Sequence, residues 1–406
     1  MKRWKLFLTV ISLFVATIAL ASGALAAMPS DELVALCESL YGGEFGTPNG
    51  EPLGACQWDM ALINASDDGS YQYATGAGVK VGVIDSGVDF THPDIAPNVD
   101  VDSSCSFIFD DTPTADPAEI ANGDCSNKGA VQDLNGHGTH VATTIAAPIN
   151  DFGIAGVAPD ATIVGLKACT KVGYCFADSV AAALRYAGDM QLDIVNLSLF
   201  ADPYLYYCNN EAEQRAILKD LENAARYARQ QGVLIVASAG NEQADLQHPG
   251  IDDSSPDWPP GSAEIRDVGN NCRVFPAEFP GALTVSATGP IGYPGYDLWI
   301  ADYSSVGMSA VDVAAPGGDY FRATGTAQDA ILAGLTSTSD PVDGIWDYFD
   351  FLEQFYPGIT ALDNSARYGY LNGTSMSSPH AAGVAALVVE RHPDWDPGDV
   401  KAAVQR

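Results

Sequence analysis

Residues 372–393 read NGTSMSSPHAAGVAALVVERHP, a turn followed by a serine and then a long apolar helix. Asn372 and Gly373 favour a tight turn, and Pro379 suits the first turn of a helix, where its missing N–H costs nothing. The apolar run that follows predicts a helix buried on most sides. Ser375 is therefore expected at a helix start, beside N–H groups that stabilise a developing negative charge. An isolated serine there is usually only a helix cap, so a nucleophile would need a base from elsewhere.

Short, β-branched apolar runs alternate with helical patterns along the rest of the chain. The runs, which are typical of strands buried on both faces, lie at 79–85, 161–169, 193–199, 233–240, 282–287 and 311–316. The helical patterns between them lie at 138–147, 177–190 and 212–231. This alternation predicts an α/β fold, a doubly wound and mostly parallel sheet with helices on both faces. The polar inserts, expected as surface loops on one core, lie near 98–131, 244–275 and 319–366.

The first residues have the composition of an export signal. A basic start at Lys2, Arg3 and Lys5 precedes the apolar run 6–20, and Ala-Leu-Ala at 24–26 provides a small-residue cleavage site. We expect residues 1–27 to be a signal peptide and the protein to be secreted. An uncleaved N-terminal anchor is the alternative. Residues 28–55 are then a short, polar leader without a strong pattern, and residues 56–406 form one large domain.

The chain is strongly acidic, which limits the partners it can have. It carries 52 Asp and Glu against 19 Lys and Arg, a formal net charge of −33. Such a charge opposes binding to nucleic acid phosphates and to anionic membrane surfaces. It suits a soluble extracellular protein, and some of the carboxylates could hold calcium.

The eight cysteines are an even number in a chain expected to be exported, so disulfides are the default. Eight cysteines allow about 105 connectivities, and the sequence leaves the choice open. Proximity along the chain favours Cys37–Cys56, Cys105–Cys125, Cys169–Cys175 and Cys208–Cys272. None of the spacings is that of a zinc site.

Four polar residues fall at ends of the predicted strands or at the starts of helices. Asp85 closes the first strand, His137 opens a helix, Asn241 follows the strand 233–240, and Ser375 opens the apolar helix. In this architecture ligands bind at the carboxyl ends of the strands. His137 could take the Ser375 proton while Asp85 orients the imidazole. Asn241 could donate to the oxyanion, together with the backbone N–H of Ser375. Each residue alone could be an ordinary turn or cap residue.

The segments DSGVD, HGTHVA, AGNE and NGTSMSSPHAAG resemble, in this order, the four motif blocks of subtilisin-like serine proteases. The resemblance runs from about Gln57 to Arg406. It implies a catalytic acid, base and nucleophile at Asp85, His137 and Ser375, and an oxyanion amide at Asn241. An esterase of the α/β-hydrolase kind fits badly, because that class needs a glycine where this chain has Ser377.

The resemblance also implies where a substrate binds. An extended peptide would add to a sheet edge between two segments, Ser198, Leu199 and Phe200 on one side and Ser238, Ala239 and Gly240 on the other. Many relatives carry two glycines where this chain has Phe200 and Ala201. The pocket is therefore expected to be narrower or reshaped, and no cleavage preference follows. Glu242 could favour a basic side chain, or it could simply be solvated.

A structural calcium ion is implied in the same way. Similar proteases hold calcium between a loop after the catalytic Asp and a loop after the helix that carries the catalytic His. Hard oxygen ligands suit this ion, and an Asx turn in each loop is the alternative. The implied ligands are the side chains of Asp94 and Asn150, the carbonyls of Pro148, Phe152 and Ile154, and Glu51 as an additional acidic ligand.

The predicted function is that of a secreted, monomeric serine endopeptidase, which cleaves protein or peptide substrates through an acyl-enzyme intermediate. The alternative is a catalytically silent binding protein that keeps the subtilase fold. Two departures from the family motivate this alternative. The leader is too short for the folding prodomain that many relatives carry, and the pocket segment is altered at Phe200.

Overall fold

The structure, a computed structural model, describes residues 28–42, 47–290, 299–320, 322–336, 358–363 and 366–406. The expected signal peptide, residues 1–27, lies outside the described residues, as does much of the third insert. The strands of the main sheet are β2 Lys80–Asp85, β3 Cys105–Ser106, β4 Thr162–Lys167, β5 Ile194–Leu197, β7 Leu234–Ser238, β11 Leu283–Gly289, β12 Trp299–Ile300 and β13 Val313–Pro316. The remaining strands are β1 Met28–Pro29, β6 Tyr207–Cys208, β8 Ile251–Asp252, β9 Arg266–Asp267, β10 Cys272–Arg273, β14 Ile331–Leu335, β15 Thr360–Asp363 and β16 Ala366–Leu371.

The main sheet has the order β12-β11-β7-β5-β2-β4-β3, with β13 also paired to β11. All of its pairs are parallel except β11 with β12. Strand β2 lies between β4 and β5, so the chain crosses from one side of β2 to the other. This reversal of strand order opens a crevice at the carboxyl ends of the strands. The predicted α/β fold with a mostly parallel sheet is confirmed, and the predicted strand ends are within one or two residues of the observed ones.

Helices cover both faces of this sheet because its strands are apolar on both sides. The helices are α1 Ser30–Tyr41, α2 Trp58–Leu62, α3 His137–Ala146, α4 Ala177–Asp189, α5 Ala212–Gln230, α6 Thr374–Arg391 and α7 Pro397–Val404. One buried apolar cluster joins α4 and α5 to the sheet. A second cluster joins α3, α6 and α7 to its other face. The helices α3 and α6, which begin at or beside His137 and Ser375, thus share one face.

The leader differs from the patternless segment that we expected. Helix α1 buries Leu33, Cys37 and Tyr41, one residue per turn, in a separate apolar cluster. The Tyr41 hydroxyl donates to Asp329 Oδ1 at 2.9 Å, and strand β1 pairs in parallel with β15. The i, i+4, i+8 spacing of these three side chains is the local signal that predicts a one-sided helix here.

The described part of the third insert forms strands instead of the expected surface loop. It supplies β14 and β15 to a four-stranded sheet of order β1-β15-β16-β14. The strand β14 is buried along its whole length. It packs against α3, where Gly334 N donates to Thr143 Oγ1 at 2.9 Å. The prediction was wrong here because the partners of these strands are distant in sequence.

All eight cysteines form disulfides, and the pairs are those that proximity along the chain favoured. They are Cys37–Cys56, Cys105–Cys125, Cys169–Cys175 and Cys208–Cys272. The first ties α1 to the segment before α2, and the last joins the adjacent strands β6 and β10. Within the described ranges, no helix is both long and apolar enough to cross a membrane.

Candidate active site

Asp85 is fixed at the carboxyl end of β2 with its carboxylate buried. Its Oδ1 accepts the backbone N–H of Ser86 at 2.7 Å. The same oxygen lies 2.8 Å from His137 Nδ1. A carboxylate oxygen only accepts, so the imidazole carries its proton on Nδ1, and Nε2 remains the nitrogen that can accept a further proton.

His137 is held by the turn that precedes α3. Gly136, the helix N-cap, has a φ of 108°, a left-handed conformation that favours glycine. The buried Asp133 carboxylate accepts the N–H groups of Gly136 and Thr139 at 2.8 and 2.9 Å. It also accepts the Ser86 hydroxyl at 3.0 Å. One carboxylate therefore joins the start of the His137 helix to the residue after Asp85.

The environment of His137 changes its basicity. Burial acts to lower its pKa, but the charge of Asp85, the hydrogen bond to it and the charge of Asp133 outweigh that effect. The net result is a pKa above the usual value of a histidine. Two other histidines in the motif segments, His140 and His380, are buried. Burial lowers the pKa of His140 to about 3, so it is neutral, and its Nε2 lies 3.1 Å from two backbone carbonyl oxygens.

Ser375 is the second residue of α6, and the helix begins earlier than we expected. Pro379 lies in its second turn instead of its first. A proline there has no N–H for the carbonyl four residues before it, which is that of Ser375. The Ser198 hydroxyl donates to this carbonyl instead, at 2.8 Å. The position of Pro379 in the second turn therefore explains why Ser198, just after β5, contacts the start of α6.

The Ser375 hydroxyl donates to the backbone carbonyl of Ser198 at 3.1 Å. It is not hydrogen-bonded to the imidazole of His137 in this conformation, although both residues line one cavity. Rotation about the Cα–Cβ bond of a serine moves its hydroxyl between staggered positions.

Asn241 follows β7 and faces the start of α6. Its Oδ1 accepts both the N–H and the hydroxyl of Thr374, each at 2.9 Å. A backbone N–H can only donate, so the amide oxygen must point toward Thr374 and the NH₂ group is left to point elsewhere. The orientation of the Asn241 amide is thus set by the residue before Ser375, and its Nδ2 is available as a donor.

These residues line a single open cavity of about 340 Å³. Its lining includes Ser198, Leu199 and Phe200 after β5, and Ser238 and Gly240 around the end of β7. Ala239 does not line it, because its side chain is buried in a separate apolar cluster. Among the described residues, the lining contains no Lys or Arg, and its acidic members are Asp85, Asp202, Glu242 and Asp257.

Asp202 and Asp257, two of these acidic residues, form a close pair that was not among the predicted site residues. Asp202 is buried and accepts the backbone N–H of Cys175. Burial, the hydrogen bond between the two carboxyl groups and the charge of Asp257 raise the pKa of Asp202 to about 9. Burial also raises the pKa of Glu242. The pair could not be predicted because Asp257 comes from the second insert.

Several of the residues implied as calcium ligands contact one another at the loop after α3. Asp94 is buried, and its Oδ2 accepts the Ile154 N–H and the Tyr368 hydroxyl, each at 2.9 Å. Its Oδ1 accepts no hydrogen bond from the described residues. Burial raises the pKa of Asp94 to about 8, and the hydrogen bonds from the Ile154 N–H and the Tyr368 hydroxyl oppose this shift, with a smaller contribution from the nearby Asn150 side chain. An orphaned carboxylate oxygen beside an amide side chain fits a hard cation.

Glu51 has a different set of contacts. Its Oε1 accepts the N–H groups of Asn150 and Asp151 at 3.0 and 3.3 Å. Its Oε2 accepts that of Phe152 at 2.7 Å. Both oxygens therefore anchor the loop 149–154 through its backbone. In the part of the chain that the structure describes, no group of three or more His, Cys, Asp or Glu residues is arranged as a metal site.

Comparison with known proteins places this architecture in one family. The sequence model described as "Subtilase family" matches residues 76–406. The chain belongs to the subtilase family. This confirms the resemblance inferred from the four motif segments, and members of this family act on protein or peptide substrates.

Individual subtilases are similar over most of this chain. M-protease of Shouchella clausii is 31% identical over 79% of the chain, and the match spans 56% of that relative. Subtilisin Savinase of Lederbergia lenta is 30% identical over 79% of the chain and 80% of the relative. The crystal structure of fervidolysin from Fervidobacterium pennivorans, a keratinolytic enzyme related to subtilisin, matches with a TM-score of 0.58 and 26% identity, over 87% of this chain and 42% of fervidolysin.

Proposed function

We propose that this protein is a secreted serine endopeptidase that hydrolyses peptide bonds through Asp85, His137 and Ser375. The observation that carries the proposal is the 2.8 Å contact between Asp85 Oδ1 and His137 Nδ1, in the cavity that Ser375 and Asn241 also line. This contact fixes the imidazole tautomer whose Nε2 can act as a base. Subtilase membership supports the same chemistry.

In the proposed acylation step, His137 Nε2 takes the hydroxyl proton as Ser375 Oγ bonds to the scissile carbonyl carbon. The carbonyl oxygen becomes an oxyanion, which Asn241 Nδ2 and the Ser375 N–H stabilise by hydrogen bonds. As the C–N bond breaks, the imidazolium gives its proton to the leaving amine. Water then repeats the sequence on the acyl-enzyme, releases the acid and restores the Ser375 hydroxyl.

The substrate is proposed to bind as an extended strand between the segments 198–200 and 238–240. The cavity lining supports both segments, with the side chain of Ala239 excepted. Ala239 N already donates to Val285 O at 3.0 Å within the sheet, so only its remaining backbone could contact a peptide. Phe200 is half-buried at the cavity and occupies volume there.

We also propose that calcium is a structural cofactor. Asp94 Oδ1 and the Asn150 side chain would hold the ion, together with carbonyls of Pro148, Phe152 and Ile154. Bound calcium would supply positive charge to a buried carboxylate whose Oδ1 otherwise accepts no hydrogen bond from the described residues. Glu51 would instead hold the loop 149–154, because its carboxylate accepts hydrogen bonds from the backbone N–H groups of that loop, and it would not be a ligand of the ion.

The experiment that tests the protease proposal uses the secreted chain without its signal peptide. A fluorophosphonate probe should label it, and it should hydrolyse denatured casein. Ser375→Ala should abolish both activities, whereas Ser39→Ala, on the exposed side of α1, should change neither. Equal labelling of the unmodified chain and Ser375→Ala would reject the proposal. A single species in size-exclusion chromatography at the mass of one chain would support the monomer.

One observation favours the alternative of a silent binding protein. The Ser375 hydroxyl donates to Ser198 O, so the proposed nucleophile has no base contact in this conformation. A silent protein would bind peptides in the cavity with equal affinity before and after Ser375→Ala and would not cleave them. Casein hydrolysis that disappears in Ser375→Ala would exclude this alternative.

A further inference from the structure

A buried lysine lies on the strand next to the one that carries Asp85. Lys167 ends β4 and is paired in register with Asp85 on β2. Its side chain has no solvent exposure, and its ammonium has three protons to place. Nζ donates to the carbonyl of Ser86 at 2.6 Å and to that of Gln132 at 3.1 Å. It also lies 2.8 Å from Glu119 Oε1, the distance of an ion pair.

The two carbonyls belong to the loops that carry Asp85 and His137. Ser86 follows Asp85 directly, and its hydroxyl accepts the Gly138 N–H at 2.9 Å. Gln132 precedes Asp133, whose carboxylate accepts N–H groups on both sides of His137. One ammonium therefore joins the peptide after the proposed acid to the turn before the proposed base.

Glu119 supplies the charge that makes a buried ammonium possible. It is also fully buried and comes from the first insert, where Ser106 Oγ donates to its backbone carbonyl at 2.7 Å. A buried ion pair often stabilises a fold less than apolar side chains of similar volume would. An apolar pair, however, could not hold two loop carbonyls at one point.

We propose that Lys167, with Glu119 as its counter-ion, is a positioning residue for the proteolytic reaction. It holds the loops after β2 and before α3 at the separation that gives the contact between Asp85 and His137. Burial raises the pKa of Asp133, and the positive charge of Lys167 opposes that rise, which favours the ionised form that caps α3. The inference rests on the proposed function and adds to it a role for the first insert.

The test compares double variants in which both members of an ion pair are replaced by neutral residues, so that the net charge of the protein does not change. Lys167→Met with Glu119→Met removes the ammonium without leaving a buried charge alone. We expect this double variant to remain folded, with kcat/KM lowered about 10- to 100-fold, mostly in kcat, because small displacements of catalytic groups have effects of this size. The acid limb of its pH profile should move to lower pH, since a looser contact with Asp85 raises the pKa of His137 less.

A matched control is another ion pair, which joins Lys171, just after β4, to Asp116 of the first insert. Lys171 Nζ lies 2.8 Å from Asp116 Oδ2, half-exposed and outside the cavity lining. Lys171→Met with Asp116→Asn should leave kcat and the acid limb unchanged. If the Lys167 double variant, once corrected for its folded fraction, behaves like this control, the pair is only structural and the inference is wrong.

A single substitution keeps the inference falsifiable should the double variant fail to fold. Glu119→Asp keeps a negative counter-ion and leaves Lys167 with both of its carbonyl contacts. Its kcat should remain within about threefold of the unmodified protein, because the positioning contacts persist. A loss as large as that of Lys167→Met alone would contradict the role assigned to the ammonium. Absence of Ser375-dependent hydrolysis in the unmodified protein would instead reject the proposed function.

Discussion

The substitution Asp85→Asn tests the central contact of the proposed mechanism. Ser86 N and His137 Nδ1 both contact one oxygen, Asp85 Oδ1, at 2.7 and 2.8 Å. The Ser86 N–H requires an acceptor, so an asparagine should keep its amide oxygen there and turn its NH₂ group toward the position of Oδ2. The imidazole should therefore keep its tautomer and lose only the negative charge beside it.

The size of the effect follows from that charge. An imidazolium and a carboxylate about 4 Å apart interact by about 4 kcal/mol at an effective dielectric constant of 20. The imidazolium forms as Ser375 gives up its proton, so this interaction stabilises the transition state more than the ground state. We therefore expect kcat/KM to fall about 10³-fold, since each 1.36 kcal/mol corresponds to a factor of ten.

The same substitution should change the pH profile in a known direction. The proposed base must be neutral, so activity is lost as pH falls through the pKa of His137. Asp85 raises this pKa, and the acid limb of the unmodified protein is therefore expected above pH 6.5, the usual pKa of a histidine. Without the carboxylate the limb should move to lower pH.

The assay is kcat/KM for a chromogenic peptide from pH 5 to 9, with thermal unfolding to show that the variants are folded. Asp68→Asn removes one carboxylate from the exposed surface and serves as the charge control. Two results would contradict the role of the Asp85 charge. One is a fall in kcat/KM of less than tenfold in Asp85→Asn, and the other is an acid limb at the same pH as in Asp68→Asn.

Three further predictions follow from the other contacts. EDTA should lower the Tm of the calcium-saturated protein by about 5 °C, and Asp94→Asn should have a lower Tm that EDTA does not change; an unchanged Tm in the unmodified protein would count against the ion. Thr374→Val removes one of two donors to Asn241 Oδ1, so kcat should fall about tenfold with KM little changed, and a change confined to KM would contradict the assigned amide orientation. Peptide-library cleavage should favour Lys and Arg side chains near the scissile bond, and Glu242→Gln or Asp257→Asn should weaken that preference; no selectivity change in either would mean that these carboxylates do not face the substrate.

Much of the fold could be predicted from the sequence because the main sheet is parallel and buried. Strands of this kind are continuous apolar runs, and the polar residue that ends each one is visible directly, as with Asp85 after VKVGVI. The same pattern located Asn241 after β7 and Ser375 at the start of α6. These residues are marked by local signals, a strand end or a helix start, so distant contacts were not needed to find them.

The remaining parts depend on contacts that local patterns do not encode. Strand β1 has two residues and exists because β15 lies beside it, more than 300 positions later in the chain. Lys167 reads as the end of an apolar strand, and nothing near it in sequence indicates that Glu119 neutralises it. Asp257 belongs to an insert whose path to the cavity depends on the three-dimensional arrangement of the loops. The sequence therefore predicts the proposed acid, base and nucleophile better than the residues that hold them.

The position of the Ser375 hydroxyl distinguishes the hypothesis of a serine endopeptidase from that of a silent binding protein. It donates to Ser198 O at 3.1 Å, a single acceptor at the end of β5. An extended substrate brings backbone N–H groups to this edge, and one that bonded to Ser198 O would deprive the hydroxyl of its partner. Because Asp85 holds the proton on Nδ1, the lone pair of His137 Nε2 is an acceptor in the same cavity, and rotamer changes of this kind are fast. Crystal structures of the free protein and of a complex with a cleaved product peptide should show Oγ moving from Ser198 O to His137 Nε2. A hydroxyl that stays on Ser198 O with peptide bound would favour a protein that binds without cutting.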